Sequence, residues 1–261
     1  MTEFDRDLLS IQEARTLTVE AFKAWQTWAK ATQEDVDRVC AAMAQAAFGA
    51  AERLGRMAYE ETGFGVPEHK RLKNEFAARN VWESIRDIKT VGVVAVDEKK
   101  RIFDIAWPMG VVAALTPSTN PTSTVIYKIL IAVKARDAIV IAPHPSAAKC
   151  CYETAILMAR VAEENGAPKG LISCMQQISL QGTQELMSHK YTALILATGG
   201  TPMVRAAHST GKPAYGVGPG NVPVYVDRSA DIEKAARYIV ASKAFDCSTI
   251  CATEQAVIAD A

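Results

Sequence analysis

Apolar residues in the first 60 positions recur at the three- and four-residue spacing of amphipathic helices. The first helical face comprises Leu17, Ala21, Ala24, Trp25 and Trp28. A second helix is predicted after Thr32-Gln33-Glu34-Asp35, which combines an N-cap residue with acidic first-turn residues. The pattern predicts helices from residue 8 to about 60, with both tryptophans packed in the core, and Gly63-Phe64-Gly65-Val66-Pro67 ends this region.

From about residue 90 the pattern changes to short apolar runs. Segments 91–96 and 101–106 flank the charged sequence Asp97-Glu98-Lys99-Lys100 and predict a β-hairpin. Strands are then predicted at 110–115, 138–142, 171–175, 193–197 and 222–226, with helices at 121–134, 146–165, 181–189 and 202–209 and a further helix capped by Ser229-Ala230-Asp231. Short strands alternating with helices predict an α/β fold whose mainly parallel sheet is covered on both faces.

Ligands of such sheets bind at the carboxyl ends of the strands. The loops of interest are therefore 116–121, 143–146, 176–183, 198–203 and 216–221.

Composition narrows the class of partner. Lys plus Arg and Asp plus Glu each total 29, so no field of one sign favours nucleic acid or an anionic membrane. No apolar run reaches about 18 residues, the length that predicts a transmembrane helix. The N-terminus Met1-Thr2-Glu3-Phe4-Asp5-Arg6-Asp7 lacks the basic and apolar regions of a secretory signal. We expect a cytoplasmic protein that binds small molecules.

The six cysteines show no spacing typical of a disulfide framework and predict reduced thiols. Cys247 and Cys251 form a C-x3-C pair without a second pair of ligands, so no metal site is predicted. Cys251 is the candidate nucleophile, because a thiolate can capture an aldehyde and form a thioester. The alternative, a small buried apolar residue, stays open for Cys251 and is preferred for the other five cysteines.

Two strand-to-helix junctions carry candidate binding groups. Asn120 offers a side-chain amide that can stabilise an oxyanion, although capping of the following helix is the preferred interpretation of this residue taken alone. In Ala197-Thr198-Gly199-Gly200, small residues at a helix N-terminus let a pyrophosphate approach the backbone N–H groups. The G-x-G-x-x-G fingerprint is absent. The glycine pair therefore indicates a pyrophosphate site only because it lies at a strand-to-helix junction of the βα series.

Taken together, these strings resemble the aldehyde dehydrogenase superfamily, and in particular its CoA-acylating branch, which includes the aldehyde dehydrogenase half of bifunctional aldehyde–alcohol dehydrogenases. The strings are Glu61-Thr62-Gly63, Pro117-Ser118-Thr119-Asn120-Pro121-Thr122-Ser123-Thr124, Ala142-Pro143-His144-Pro145, Ala197-Thr198-Gly199-Gly200, Tyr215-Gly216-Val217-Gly218-Pro219-Gly220-Asn221 and Ile250-Cys251-Ala252-Thr253-Glu254. The resemblance covers essentially the whole chain. It implies a Rossmann-like parallel sheet with flanking helices, N-terminal helices and a protruding oligomerisation hairpin at about 91–106.

The resemblance also implies roles for individual residues. Cys251 is expected to be the catalytic nucleophile and Asn120 the side-chain oxyanion donor. The residues expected to bind NAD or NADP, with NAD slightly favoured, are Thr116, Pro117, His144, Pro145, Thr198, Gly199, Gly200, Met203, Val217 and Gly218. The implied partners are a small aldehyde, coenzyme A as co-substrate, and further copies of the chain in a homodimer or homotetramer.

Two departures from hydrolytic relatives are informative, and the first favours acyl transfer to CoA. Hydrolytic members keep a glutamate at the start of the glycine loop to activate water, whereas Tyr215-Gly216-Val217-Gly218 holds no carboxylate. His144-Pro145 stands where many members have a lysine near the adenosine ribose, which leaves NAD and NADP both open. The alternatives are a hydrolytic dehydrogenase giving a carboxylic acid, and a non-catalytic, truncated dinucleotide-binding module.

The family's catalytic domain continues well beyond the nucleophile. We therefore expect residues 1–228 to form the cofactor-binding domain and residues 229–261 to be only the start of the catalytic domain. The aldehyde itself is not determined by these residues. A bacterial microcompartment is the second expected location, after the cytoplasm.

Overall fold

A computed structural model describes residues 5–260. The first four residues, which contributed to the signal-sequence interpretation, and the final Ala261 lie outside the described residues. The α-helices are Arg6–Trp28 (α1), Gln33–Gly49 (α2), Ala51–Thr62 (α3), Pro67–Glu75 (α4), Val81–Ile85 (α5), Pro121–Lys134 (α6), Ala148–Glu164 (α7), Leu180–Ser188 (α8), Thr201–His208 (α9) and Ile232–Ala244 (α10). The strands are Gly92–Asp97 (β1), Ile102–Ala106 (β2), Val111–Thr116 (β3), Ala138–Pro143 (β4), Ile172–Cys174 (β5), Thr192–Thr198 (β6), Ala214–Val217 (β7), Val222–Val226 (β8) and Glu254–Ala259 (β9).

The N-terminal helices follow their capping signals. Thr32 Oγ1 accepts a hydrogen bond from the Asp35 N–H at 3.2 Å, and the Asp35 carboxylate accepts one from the Thr32 N–H at 3.2 Å. This reciprocal capping box fixes the start of α2. α3 ends at Gly63, whose φ of 69° is the left-handed conformation that glycine adopts at little cost. Pro67 then opens α4 at a position where the missing N–H is not needed.

Sequence periodicity does not predict α4, the π-helical turn Phe76–Asn80 or α5. The buried face of α4 consists of the polar residues Lys70 and Asn74, so it carries no apolar stripe. Asn74 is held there by hydrogen bonds to the Ala51 carbonyl at 3.0 Å and from the Thr122 hydroxyl at 2.7 Å.

The central sheet has five parallel strands in the order β5-β4-β3-β6-β7. β3 and β4 are buried along their whole length, as expected for strands covered by helices on both faces. From β3 the chain moves outward through α6 to β4 and through α7 to β5, then returns through α8 to β6 on the other side of β3. The order reverses between β3 and β6, and this switch point is where an open α/β sheet forms its binding crevice.

Two features of the strand prediction are corrected by the structure. β7 is an additional edge strand of the central sheet, paired with β6. β8 does not close that sheet: it pairs in parallel with β9 in a separate two-stranded sheet. The remaining predicted strands and helices are confirmed to within a few residues at their ends.

The predicted hairpin is confirmed as the antiparallel pair β1 and β2. Its strands are exposed along almost their whole length, including Val96, Phe103 and Ile105. The core lies instead between the central sheet and its helices, where Trp28 is buried and donates from Nε1 to the Val133 carbonyl at 3.2 Å. Trp25 packs against the same core. Within residues 5–260, the helices are either too short or too polar to cross a membrane.

Candidate active site

A cleft of about 1330 Å³ opens at the carboxyl ends of the central strands. Its walls come from the loops after β3, β4, β5, β6 and β7, from α4 and the π-helical turn, and from the segment between α10 and β9. Every residue that the sequence singled out for catalysis or cofactor binding lines this cleft. These residues are Cys251, Asn120, Thr116, Pro117, His144, Pro145, Thr198, Gly199, Gly200, Met203, Val217 and Gly218.

The crevice between β3 and β6 has features that fit a dinucleotide. Thr116, at the end of β3, is 5% exposed, and its hydroxyl has no hydrogen-bond partner among the described residues. A side chain built on Gly199 would meet no atom within 4 Å, so open space remains above the β6–α9 turn. Helix α9 begins at Thr201, directly after the glycine pair. Its N-terminus offers backbone N–H groups and a favourable dipole for a phosphate.

A buried lysine underlies this crevice. Lys128, on α6, donates from Nζ to the carbonyl oxygens of Leu115 at 2.7 Å and Leu196 at 2.8 Å, and to the Thr198 hydroxyl at 3.0 Å. These acceptors belong to β3 and β6, so the ammonium group holds the two strand ends together. Burial lowers the pKa of Lys128 to about 7.

The His144-Pro145 turn forms another part of the cleft wall. His144 is exposed, and its Nδ1 accepts a hydrogen bond from the Ser146 N–H at 3.2 Å at the start of the 3-10 turn Pro145–Ala147. Beside it, the Glu61 carboxylate accepts from the N–H groups of Lys149 at 2.9 Å and Cys150 at 2.7 Å. Glu61 therefore satisfies the first turn of α7, so the structure gives this residue a capping role.

The segment that carries Cys251 begins with an unusual backbone. Asp246, Cys247 and Ser248 are all left-handed, with φ of 49°, 54° and 63°, which is costly for residues other than glycine. The buried Asp246 carboxylate anchors this turn by accepting from the Val66 N–H at 2.8 Å and the Thr249 hydroxyl at 2.7 Å. Cys251 follows in a tight turn and is exposed to the cleft.

The glycine loop approaches Cys251 closely. A side chain on Gly220 would lie 2.0 Å from the Cys251 carbonyl oxygen, so only glycine fits there. Cys247 is also exposed, and the expectation that it is a buried apolar residue is wrong: the left-handed turn directs it outward. The other four cysteines are buried, as expected.

Asn120 immediately precedes α6, but its side chain makes no capping hydrogen bond. Its Oδ1 accepts from Lys73 Nζ at 2.6 Å, and its Nδ2 donates to the Thr249 carbonyl at 3.0 Å and to the Thr119 hydroxyl at 3.0 Å. The capping interpretation is therefore wrong. The amide is directed instead towards the segment that carries the nucleophile.

A buried charge cluster supports this arrangement. Asp246 forms ion pairs with Lys73 and, at 3.5 Å, with Lys70. Burial opposes ionisation of Asp246, but hydrogen bonds from Lys73 and Thr249 outweigh it and hold the pKa of the carboxyl below its ordinary value. Burial lowers the pKa of Lys73 to about 8, against the opposing effect of Asp246. With two lysines against one carboxylate, the cluster carries a net positive charge beside Asn120.

The titratable side chains that the described part of the chain contributes to the cleft wall are Lys73, Tyr127, His144 and Cys251; it contributes no carboxylate. Burial, with a smaller contribution from the neighbouring Cys251, raises the pKa of Tyr127 to about 12. Within residues 5–260, no group of three or more His, Cys, Asp or Glu side chains is placed to hold a metal ion.

The sequence interpretation did not include Lys73, Tyr127, Lys128 and Asp246. Asp246 directly precedes Cys247 of the C-x3-C pair, and Lys128 lies within the predicted helix 121–134. Lys73 offered no local signal, because its partners are distant in sequence.

Comparison with known proteins identifies the relatives of this chain. The model of the aldehyde dehydrogenase family matches residues 8–261. The bifunctional aldehyde-alcohol dehydrogenase of Escherichia coli strain K12 is 43% identical over 249 residues, which is 95% of this chain and 28% of that protein.

Solved structures of acylating enzymes are similar over nearly the whole chain. An acetylating aldehyde dehydrogenase from Geobacillus thermoglucosidasius is 58% identical with a TM-score of 0.95, covering 99% of this chain and 57% of that one. A propionaldehyde dehydrogenase from Rhodopseudomonas palustris, solved with bound CoA and an acylated cysteine, is 32% identical with a TM-score of 0.82, covering 94% and 56%. The chain thus spans between about a quarter and somewhat over half of these relatives. On the family match and the similarity to these structures, this chain belongs to the aldehyde dehydrogenase family.

Proposed function

We propose that this chain provides the nucleophile and the dinucleotide site of an acylating aldehyde dehydrogenase, which converts an aldehyde, CoA and NAD(P)+ to acyl-CoA and NAD(P)H. The observation that carries the proposal is the exposed Cys251 in the same cleft as the strand-end residues, without a carboxylate on the described part of the wall. A thiolate there can hold an acyl group, and the described part of the wall places no carboxylate beside it to activate water.

The first step takes place at Cys251. Its thiolate attacks the aldehyde carbon, a C–S bond forms, and the carbonyl electron pair moves to oxygen. Asn120 Nδ2 is the proposed side-chain donor to this oxyanion. Because both amide hydrogens are donated to Thr249 and Thr119, binding of the oxyanion requires one of these bonds to be exchanged or shared.

Residues at the ends of β3 and β6 are the proposed holders of the dinucleotide. The Thr116 hydroxyl, Gly199, Gly200 and the N-terminus of α9 fit a group that has phosphate and ribose oxygens. When bound, the nicotinamide supplies the hydride acceptor that turns the thiohemiacetal on Cys251 into a thioester. We propose that NAD or NADP fills this role.

The last step releases the acyl group. The CoA thiolate attacks the thioester carbon, and the Cys251 thiolate leaves with the electron pair of the C–S bond. Support for this step comes from the relatives named for acetylating activity and from the Rhodopseudomonas structure that holds CoA and an acylated cysteine. The reverse sequence reduces an acyl-CoA to the aldehyde.

We also propose an oligomeric state, a cellular compartment and a domain division for this chain. The exposed apolar hairpin β1–β2 fits a homodimer or homotetramer interface. Six free cysteines fit a reducing compartment such as the cytoplasm. We propose that the chain divides into a cofactor-binding domain and the start of a catalytic domain near residue 228. The pairing of β8 with β9 favours a boundary slightly earlier, ahead of β8.

The test follows acylation of Cys251 directly. The chain is incubated with acetyl-CoA, and intact-mass and peptide mass spectrometry locate any added acetyl group. We expect one hydroxylamine-sensitive acetyl group on Cys251, none in Cys251→Ala, and normal labelling in Cys247→Ala, which removes the other exposed cysteine of the same segment. Acetylation of Cys251→Ala at another cysteine, or no thioester in the parent chain, would contradict the proposal.

A second assay separates the acylating reaction from its alternatives. Absorbance of reduced nicotinamide is followed with a short aldehyde and NAD, with and without CoA. We expect a signal that requires CoA and yields acyl-CoA. A signal without CoA that yields a carboxylic acid indicates the hydrolytic reaction, and dinucleotide binding without any thioester indicates a non-catalytic module.

A further inference from the structure

Four side chains close to the segment that carries Cys251 form a closed ring of hydrogen bonds. They belong to Lys73, Asn120, Thr249 and Asp246, and the ring includes the Thr249 carbonyl. Lys73 Nζ donates to Asn120 Oδ1 at 2.6 Å, and Asn120 Nδ2 donates to the Thr249 carbonyl at 3.0 Å. The Thr249 hydroxyl donates to the Asp246 carboxylate at 2.7 Å, and that carboxylate is paired with Lys73. The ring joins α4, the β3–α6 loop and the left-handed turn, which are distant in sequence.

The chemistry of the ring fixes which way the Asn120 amide faces. An ammonium group only donates hydrogen bonds, so the amide atom facing Lys73 must be the oxygen. A carbonyl only accepts, so the atom facing the Thr249 carbonyl must be the nitrogen. Lys73 is 12% exposed at its side chain and Asp246 is fully buried. The amide therefore has one satisfied orientation, in which its donor faces the segment leading to Cys251.

The rest of the surroundings holds the ring in place. Lys70 donates to the Thr119 carbonyl at 2.9 Å and pairs with Asp246, so the carboxylate keeps a second cation. Gly65 makes room for this carboxylate, since a side chain there would lie 2.0 Å from Asp246 Oδ1. The position of the left-handed turn and the orientation of the amide thus depend on the same anchored carboxylate.

We propose that Lys73 is a positioning residue, which acts through Asn120 and Asp246 to aim the amide donor at the oxyanion formed on Cys251. The inference rests on the proposed function for its catalytic consequence, but the orientation of the amide is a property of the free chain. A double-mutant cycle between Lys73 and Asn120 tests the catalytic consequence. A direct measurement on the Asn120 amide tests its orientation.

The cycle uses Lys73→Met, Asn120→Ala and the double variant, with acetylation of Cys251 by acetyl-CoA as the rate. Since loss of an oxyanion donor costs roughly 100- to 1000-fold, misdirection of the donor should slow acetylation by about 10- to 100-fold in Lys73→Met. In the Asn120→Ala background, Lys73→Met should slow acetylation by less than about a further twofold, because the amide that Lys73 orients is already absent. Lys23→Met, which removes an exposed lysine on α1, should match the parent chain.

Alkylation of Cys251 by iodoacetamide separates positioning from a direct effect on the thiolate. No oxyanion forms in this reaction, so its rate and the midpoint of its pH profile should be the same in Lys73→Met and the parent chain. A shifted midpoint would assign Lys73 to the thiolate itself and overturn the positioning role. Independent, multiplicative losses in the double-mutant cycle would overturn it as well.

The amide measurement is independent of acyl transfer. The side-chain ¹⁵N resonance of Asn120, identified from its loss in Asn120→Ala, should show slow hydrogen exchange in the parent chain and exchange at least about tenfold faster in Lys73→Met. Unchanged exchange in Lys73→Met would refute the inference even if acetylation is slowed in that variant. If the parent chain forms no thioester, the proposed function fails while this result still decides the orientation.

Lys73→Met removes one of the two cations around a buried carboxylate and can prevent folding. The double variant Lys73→Met/Asp246→Asn removes this ion pair with little change in size and leaves Lys70, whose Nζ still donates to the Thr119 carbonyl. It should fold and still show rapid exchange at Asn120, because Oδ1 has lost its donor. Slow exchange in this variant would show that the ammonium group does not set the amide orientation, and would overturn the proposal.

Discussion

Replacement of Lys128 by methionine is a sensitive probe of the crevice between β3 and β6. Methionine keeps an unbranched side chain of similar length but removes the ammonium group that Leu115, Leu196 and Thr198 accept hydrogen bonds from. Two effects oppose each other in the parent chain. The three acceptors favour the ammonium form, whereas its nearly complete burial disfavours any charge.

The lowered pKa decides which effect is larger. Burial moves the pKa of Lys128 from 10.5 to about 7, which is equivalent to about 5 kcal/mol between the two protonation states. Between these values the unfolded chain binds a proton that the folded chain does not, so stability increases as pH rises. Below pH 7 both states are protonated and the slope disappears.

The expected quantity is the difference in free energy of unfolding between the parent chain and Lys128→Met. The free energy of unfolding of the parent chain should increase relative to that of Lys128→Met by about 2 kcal/mol between pH 7 and 9. Between pH 5 and 7 the increase should be less than about 0.5 kcal/mol. Other titrations are shared by the two proteins and cancel in the difference. Urea unfolding followed by tryptophan fluorescence at each pH gives the values.

The control is Lys23→Met on α1, whose exposed ammonium group is solvated in both states. Its difference from the parent chain should not change with pH. A flat difference for Lys128→Met from pH 5 to 9 would show that the three acceptors keep the ammonium group charged. That result would refute the reasoning that burial outweighs them.

Three further outcomes follow from the site. Titration with an aromatic disulfide reagent should find two reactive thiols in the native chain, at Cys247 and Cys251, and six after unfolding, because the other four are buried; more than two in the native chain would contradict the burial. Gly65→Ala should lower the free energy of unfolding by at least about 2 kcal/mol and slow acetylation of Cys251, since its φ is +74° and the added carbon would collide with Asp246. Glu61→Ala should cost about 1 kcal/mol in urea unfolding by leaving two N–H groups of α7 without a protein acceptor, and equal stability would argue against the capping role.

Much of the site is predictable because a parallel sheet brings its strand ends to one edge. Once the βα alternation is recognised, the loops after β3, β4 and β6 must lie at the same edge, whatever their separation in sequence. The side-chain environment of these loops is not predictable in this way. Asn120 looks like a helix cap in sequence, but Lys73 and Thr249 take up its amide in the fold.

The local features follow from the sequence alone: the capping box of α2, the break at Gly63, the hairpin, and the order of strands and helices that predicts the sheet. Each depends on residues within a few positions of one another, so spacing alone reveals it. The tertiary structure decided the pairing of β8 with β9, the exposure of Cys247 and the ring around Asn120. Lys73 and Asp246 are 173 residues apart, and their pairing arises only when folding buries both charges in one place, where each stabilises the other against desolvation.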